Sequence, residues 1–424
     1  MGVVVAGGIE KLPAGGLKEV AGLPAEISDD PLAALDRAIA RLKPEAVLDL
    51  SDEPVLDYRR RHEFASVALY REVAYEGADF RFEPPARPRV CESPSLAVVS
   101  TGKRTGKTAI SAFTARRLKA AGRKPVIVAM GRGGPPDPEV IRGDEIELSP
   151  PDLLELADQG KHAASDYIED ALVGRVPTVG CRRCGGGLAG AVADSNVREG
   201  VKKANELGGD FIVLEGSGAA IPPVHADATV LVVPAGIPEE YVRGYLGPYK
   251  VLLADLVLVT MCENPFGTPS QISGLISRIR GAWRPSERKP EPTDEIQVVR
   301  TVFRPHPVRS VEGATAFVAT TAPEAAAELI RRHLEREHGC RVAGISHSLS
   351  DRDRLEADLK EARGEADTLL CEIKAAGVDV ATRRALDEGW DVVYMDNVPQ
   401  GVEGDDPDAA LLQAAETAIL RYST

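Results

Sequence analysis

The chain has little that would anchor, export or cross-link it. Its 424 residues contain six cysteines, too few and too scattered for a disulfide scaffold. No apolar run approaches the roughly 18 residues that a membrane span needs. The longest, VLLADLVLVT, is interrupted by Asp255. The opening MGVVVAGGIEKLP has neither the charged n-region nor the cleavage site of a signal peptide, and Ala6 stands where a myristoylation motif demands Ser or Thr. Cations are in deficit: 51 Lys and Arg against 65 Asp and Glu, for a net charge of -14. That excludes the broad basic footprint of a nucleic-acid binder, but a local Arg and Lys pocket for a small anion remains compatible with it. There is no internal repeat and no low-complexity tail. None of the seven histidines has the carboxylate or cysteine spacing of a metal or nucleophile site. The expectation is a cytoplasmic protein with no membrane and no nucleic-acid partner.

What is present is ordinary globular composition, 43% hydrophobic and 27% charged, in a chain long enough for several domains. Two proline-rich charged stretches punctuate it, RFEPPARPRVCESPS (81–95) and RPSERKPEPTDE (284–295). Prolines fix the chain extended and remove donors, so such stretches rarely lie inside packed elements. They suggest an N-terminal α/β domain over 1–92, a core over 93–290 and a C-terminal α/β domain over 291–424. In the core, LAVVS, PVIVAM, FIVLEG, ATVLVVP and DLVLVT read as buried strands. Helical patterns lie between several of them. Near-continuous apolar strands alternating with helices predict a mainly parallel sheet covered on both faces. The fold class expected is therefore α/β, with a central sheet of the P-loop NTPase kind flanked by two smaller α/β domains.

The stretch LAVVSTGKRTGKTAI (96–110) carries the chemistry. A strand from Leu96 to Ser100 runs into a loop, and a helix is expected to begin near Gly106. The glycine spacing departs from the usual phosphate loop, which has four residues between its glycines. Here Gly102 and Gly106 enclose only Lys103, Arg104 and Thr105. The context still suits phosphate: a helix N-terminus offers free amides and the positive end of the helix dipole. Lys107 is placed to reach the β- and γ-phosphates of ATP, and Thr108 to offer its hydroxyl to Mg²⁺. Lys103 makes the loop resemble the deviant loops of the Min/Par and dethiobiotin-synthetase class, where an early lysine follows the first glycine. In the Min/Par branch that lysine can act across a dimer interface, which leaves a homodimer open.

Phosphoryl transfer also needs a carboxylate at a strand end. FIVLEGSGAA supplies Glu215, and the strand-E-G-x-G element resembles that of dethiobiotin synthetase, where the glutamate serves the metal. Asn264, after the strand LVT, is a candidate for contacting the nucleotide base. Arg132, in the glycine-rich VAMGRGGPPDPEVIRGD, lies where successive amides can form an anion nest. In TVGCRRCGGGLAG, Cys181 and Cys184 have C-x-x-C spacing, but no second pair completes a zinc site. The following glycines favour a loop in which Arg182 and Arg183 bind an anion. A purely structural pair and a redox or metal pair are the competing readings. Asp166, Glu169 and Asp170 fall on a helix, with 166 and 170 on one face; they could help hold Mg²⁺ or a catalytic water, but such acids more often form a solvated helix face. In the last block Glu372, Lys374, Asp379, Asp396 and Asn397 lie at strand ends, where open α/β sheets bind ligands.

Taken together, GKRTGKTA, AMGRGGPPDPEVI, SDYIEDAL, TVGCRRCGGGLAG, EGSGAAIPPV and CEIKAAGVDVA resemble the cyclic 2,3-diphosphoglycerate synthetase family over nearly the whole chain. The resemblance implies an ATP- and Mg²⁺-dependent ligase that closes 2,3-bisphosphoglycerate into a ring through an intramolecular pyrophosphate bond, releasing ADP and phosphate. It implies Lys107, Lys103 and Arg104 at the transferring group, Thr108 and Glu215 at the metal, and Arg132, Arg182 and Arg183 on the small anionic substrate. Two other classes stay open on the residues alone. One is another ATP-dependent kinase or ligase of the dethiobiotin-synthetase type. The other is a Min/Par-like nucleotide switch.

Overall fold

The computed structural model describes residues 1–7, 19–20, 22–160, 166–285 and 296–424. The N-terminal segment is α/β, as its alternating texture predicts. Val3–Val5, Leu23–Ile27 and Glu19–Val20 form one small sheet, and Ala46–Leu48, Ala74–Glu76 and Arg81–Phe82 another. Its two helices start where short acidic side chains satisfy free amides. Asp30 accepts from the Leu32 and Ala33 amides ahead of Pro31–Leu42, and Asp57 accepts from the Arg60 amide ahead of Tyr58–Tyr70. The second helix packs on Gly247–Leu253 of the core.

The core strands are β1 (Ser95–Ser100), β2 (Pro125–Gly131), β3 (Pro177–Cys184), β4 (Phe211–Glu215), β5 (Ala228–Pro234) and β6 (Leu256–Thr260). They pair in parallel in the order β3-β2-β4-β1-β5-β6. Alternate residues serve opposite faces. Leu96 and Val98 pack under helices α1 (Lys107–Ala120) and α2 (Asp166–Gly174). Ala97 and Val99 belong to the apolar cluster of the other face, which also takes in residues of Val197–Glu206, Gly247–Leu253 and Pro269–Arg280. Both faces being covered explains why these strands read as unbroken apolar runs.

Two short strands, Glu139–Arg142 and Asp194–Ser195, pair antiparallel with β3, and the remaining strands of the sheet are β7 (Gln297–Pro307), β8 (Thr315–Ala319), β9 (Arg341–Ser346), β10 (Thr368–Glu372) and β11 (Asp391–Gly401). The first residues of β7 pair in parallel with β6, and residues 301–307 pair antiparallel with 401–395 of β11. β11 in turn runs parallel to β10, and β8 lies between β10 and β9. Two long strands thus fuse two parallel units into one 13-stranded sheet. Because β7 and β11 are antiparallel, the carboxyl ends of the two units point at each other. That is where both units would place ligand-binding residues.

The chain returns to the core after this second unit. Pro407–Tyr422, capped by Asp406, lies on β1, β5 and α1. The β7 residues 297–300 also belong to the core sheet. Sequence positions after 291 therefore contribute to both units, and the expected 290/291 boundary itself lies outside the described residues. Among the described residues, no helix is long and apolar enough to cross a membrane.

Candidate active site between the facing strand ends

The loop after β1 is held from three sides. Ser100 Oγ contacts the carbonyls of Gly102 and Gly218 at 2.9 and 2.8 Å. Thr260 Oγ1, at the end of β6, donates to the Thr105 carbonyl at 2.9 Å. Arg104 and Gly106 have φ of 58° and 87°, the alternation that turns successive amides toward one point. Gly106 caps α1 without a side-chain hydrogen bond, so the first amides of the helix are left for an anion. A Cβ at Gly106 would lie 2.1 Å from the Phe303 ring of β7. Gly106→Ala is therefore expected to combine this clash with left-handed strain of about 1–3 kcal/mol. It should lower the melting temperature and weaken nucleotide binding together, measured by thermal denaturation and nucleotide titration.

Lys107 and Thr108 converge on Glu215. Lys107 Nζ lies 2.9 Å from Glu215 Oε1, and Thr108 Oγ1 donates to the same oxygen at 2.7 Å. Both charged groups are buried, Glu215 completely. Burial pulls the Lys107 ammonium down, but Glu215, Asp166 and Asp170 outweigh it and hold it above its usual range. Helix α2 brings Asp170 beside Glu215. Glu215 Oε2 and both Asp170 carboxylate oxygens are buried without a hydrogen-bond partner. Burial, and then the negative charge of Glu215, push both Asp166 and Asp170 above the ordinary carboxylate range. Glu169 is pushed up to about 7, chiefly by burial.

Cations face this acidic floor. Gly218 lies between two of them: a Cβ there would be 3.5 Å from an Arg183 guanidinium nitrogen and 3.6 Å from Lys103 Cγ. Arg183 is buried; it donates to the Ser217 carbonyl at 2.9 Å and to that of Gly185. Burial and then the nearby charge of Arg132 pull it below its usual range. Lys103, Arg104 and Arg132 are exposed, and among the described residues none has a hydrogen bond or ion pair.

The C-x-x-C stretch is different from its sequence expectation. It is the end of β3, not a loop. In a strand, side chains three positions apart point to opposite faces, so Cys181 is buried, Cys184 is exposed, and both are free thiols. No shared metal or disulfide is compatible with that. The same alternation separates the two arginines. Arg182 Nε donates to the Gly134 carbonyl at 2.8 Å, away from Arg183, so they do not act as a pair. The glycine loop begins only at Gly185.

Asn264 borders an open cavity of about 1080 Å³, also lined by Glu263, Ser273, Ile276, Arg280 and Arg300. It follows β6, whose last residue, Thr260, holds the Thr105 carbonyl of the phosphate loop, but no residue of that loop lines the cavity. Two further cations meet partners that are distant in the chain, and of the two only Lys374 is marked in the sequence, by its place after a strand. Lys250 is buried with its Nζ 3.5 Å from the Ser100 carbonyl, and burial pushes it down to about 8. Lys374 reaches from the second unit to Glu169 at 2.8 Å. Arg116 of α1 pairs with Asp396 of β11 at 2.6 Å, which fixes the two units together. Among the described residues, no group of three or more His, Cys, Asp or Glu forms a ready metal cage.

Comparison with known proteins matches the chain to three family profiles. They are the cyclic 2,3-diphosphoglycerate synthetase N-terminal domain over residues 1–83, the P-loop domain over 95–286 and the C-terminal domain over 307–398. The cyclic 2,3-diphosphoglycerate synthetase of Methanothermobacter thermautotrophicus is 42% identical over 99% of this chain and 90% of the relative. That of Methanothermus fervidus is 43% identical over 98% and 90%. That of Rubrobacter xylanophilus is 46% identical over 97% and 89%. Among solved structures, LpxK from Aquifex aeolicus in complex with ATP aligns over 77% of this chain and 90% of that one, at 13% identity and a TM-score of 0.41, a likeness too low to support a functional argument. The full-length matches, together with a phosphate loop backed by Glu215, assign the chain: it belongs to the cyclic 2,3-diphosphoglycerate synthetase family.

Proposed function

We propose that the protein uses ATP to close 2,3-bisphosphoglycerate into cyclic 2,3-diphosphoglycerate, releasing ADP and phosphate. The observation that carries this reading is the set of cations without counter-ions, Lys103, Arg104 and Arg132, gathered with Arg183 around a loop whose own lysine is buried on Glu215. Two highly anionic reactants must meet here against like-charge repulsion, and preorganised cations are what such a reaction requires.

The chemistry needs no side-chain nucleophile. An oxygen of one substrate phosphate attacks the γ-phosphorus of ATP and the bond to the β-phosphate oxygen breaks, releasing ADP. An oxygen of the other substrate phosphate then attacks the newly activated phosphorus, and inorganic phosphate leaves as the ring closes. Lys107, Lys103 and Arg104 would hold the transferring group, with the amides of Gly102, Thr105 and Gly106 around the ATP phosphates. Asn264, in the segment that follows β6, would meet the base. Arg132 and Arg183 would bind the substrate, with Arg182 holding the Arg132 turn through Gly134. The orphaned oxygens of Asp170 and Glu215 beside the Thr108 hydroxyl fit Mg²⁺, which takes few protein carboxylates and fills its shell with water and phosphate. When bound there, Mg²⁺ would supply charge neutralisation. Lys103 is exposed enough to act across a homodimer interface. The N-terminal segment and the C-terminal unit would enclose the core of a cytoplasmic enzyme that has neither a nucleic-acid nor a membrane partner.

ADP release tests the substrate class. With Mg-ATP, 2,3-bisphosphoglycerate should stimulate it by about 10²-fold or more over 3-phosphoglycerate or a dicarboxylate. Preference for the carboxylate would indicate a dethiobiotin-synthetase-type ligase, and no stimulation by any acid would indicate a nucleotide switch.

A further inference from the structure

The C-terminal unit does more than cover the core. Its strand β10 ends at Glu372, whose carboxylate is fully occupied. Thr320 Oγ1 donates to it at 2.6 Å, the Thr321 amide at 3.0 Å and Thr321 Oγ1 at 2.6 Å. The Lys374 amide then donates to the Glu372 carbonyl at 2.9 Å. The turn that follows is tight: a Cβ at Gly377 would lie 2.6 Å from that same carbonyl oxygen. The backbone of Lys374 is thus fixed, while its side chain crosses the gap between the two units. Its ammonium meets Glu169 on α2 at 2.8 Å. There it acts on Asp166, the carboxyl that also feels Glu215, Lys107 and Arg183. The P-loop lysine, the substrate-side arginine and Lys374 therefore all lower the pKa of one carboxyl, and Lys374 does so from the other unit. The Arg116–Asp396 pair and the Phe303 ring against Gly106 hold the units in this relation.

We propose that Lys374 is a catalytic cation supplied by the C-terminal unit, which leaves Glu169 to bind the second phosphate of 2,3-bisphosphoglycerate, the one that closes the ring. This rests on the cyclisation reading above. A purely structural bridge between domains would not need to end on the acidic floor of the phosphate loop. Leaving Glu169 costs this ion pair and uncovers a partly buried carboxylate, a cost the incoming phosphate has to offset. A doubly charged phosphate offers a stronger partner than one carboxylate. Two cations, Lys107 from the core and Lys374 from the C-terminal unit, would let the phosphates of one small molecule be drawn together although they repel each other.

The test uses the full chain and three variants, Lys374→Met, Lys374→Arg and Glu169→Gln. Binding of 2,3-bisphosphoglycerate and of a non-hydrolysable ATP analogue is measured by calorimetry, and ring formation by phosphorus NMR. Lys374→Met is expected to weaken bisphosphoglycerate binding about 10-fold or more and to lower kcat/KM for cyclisation about 10²-fold, with the ATP analogue bound as in the wild type. Lys374→Arg should recover part of both losses, and it keeps the test decisive if the methionine variant folds poorly. Glu169→Gln breaks the same bridge but leaves the ammonium in place, so it should retain most of the affinity and rate. Equal losses in Lys374→Met and Glu169→Gln would reduce Lys374 to a structural bridge and overturn the proposal, as would wild-type binding and rate in Lys374→Met. If the wild type makes no ring yet Lys374→Met still weakens bisphosphoglycerate binding, the cyclisation reading fails while the binding role stands.

Discussion

Lys107→Ala is expected to lower cyclisation by about 10³-fold or more and to destabilise the fold at the same time. The two losses have separate causes. The first is removal of the ammonium nearest the transferring phosphoryl group, where preorganised charge contributes most to rate. The second follows from burial. Glu215 is completely buried and Lys107 nearly so, with 2.9 Å between them. Taking away one partner leaves an uncompensated charge in the core, which costs about 3–5 kcal/mol. A double variant separates them. Lys107→Ala combined with Glu215→Gln should recover much of the stability, because no unpaired charge remains, and none of the activity. Thermal denaturation and a phosphorus NMR assay read the two effects. A single variant that melts as the wild type does would mean Glu215 is not charged against Lys107, and full activity would remove Lys107 from the chemistry.

Asp170→Asn should do the opposite to stability. No donor hydrogen-bonds to either buried oxygen of Asp170, and its side chain lies against the Glu215 carboxylate. Burial, then the Glu215 charge, raise its pKa well above the ordinary value. A carboxyl raised in the folded state favours folding fully below its unfolded value of 3.8, and that contribution is lost as pH rises through the folded value. Neighbouring Glu169 titrates at about 7 in the fold, so metal-free protein should lose stability from acid toward neutral and mildly alkaline pH. The neutral amide should flatten this slope and raise the melting temperature at pH 8 without metal. It should also abolish the stabilisation by added Mg²⁺ and lower activity about 10²- to 10³-fold. Melting curves across pH, with and without Mg²⁺, decide it. Unchanged Mg²⁺ stabilisation in the variant would place the metal elsewhere.

Much of the core was legible because its signals are local. Ser95–Ser100 and Phe211–Glu215 read as buried strands since both their faces are apolar. The G-K-T step is contiguous, so Lys107 and Thr108 could be placed before Glu215 was seen beside them. What failed to show was anything set by pairing at a distance. β7, with Pro305 and Pro307 near its end, gives a weak strand pattern, yet it and β11 turn the two units to face each other. Lys250 and Lys374 lie 150 and 205 residues from the groups they meet, and nothing in GPYKVLL or CEIKAAG announces it. The Cys181–Cys184 stretch misled for a related reason. Three glycines after it suggested a loop, but pairing with β2 extends the strand through Arg182, and strand alternation then sends the two arginines apart.

The most direct measurement is phosphorus NMR of the wild-type protein with Mg-ATP and 2,3-bisphosphoglycerate. The expected result is loss of both phosphomonoester signals of the substrate, with coupled resonances of a cyclic pyrophosphate growing in as ADP and inorganic phosphate accumulate in equal amounts. ATP hydrolysis that leaves the two phosphomonoester signals intact would contradict the account.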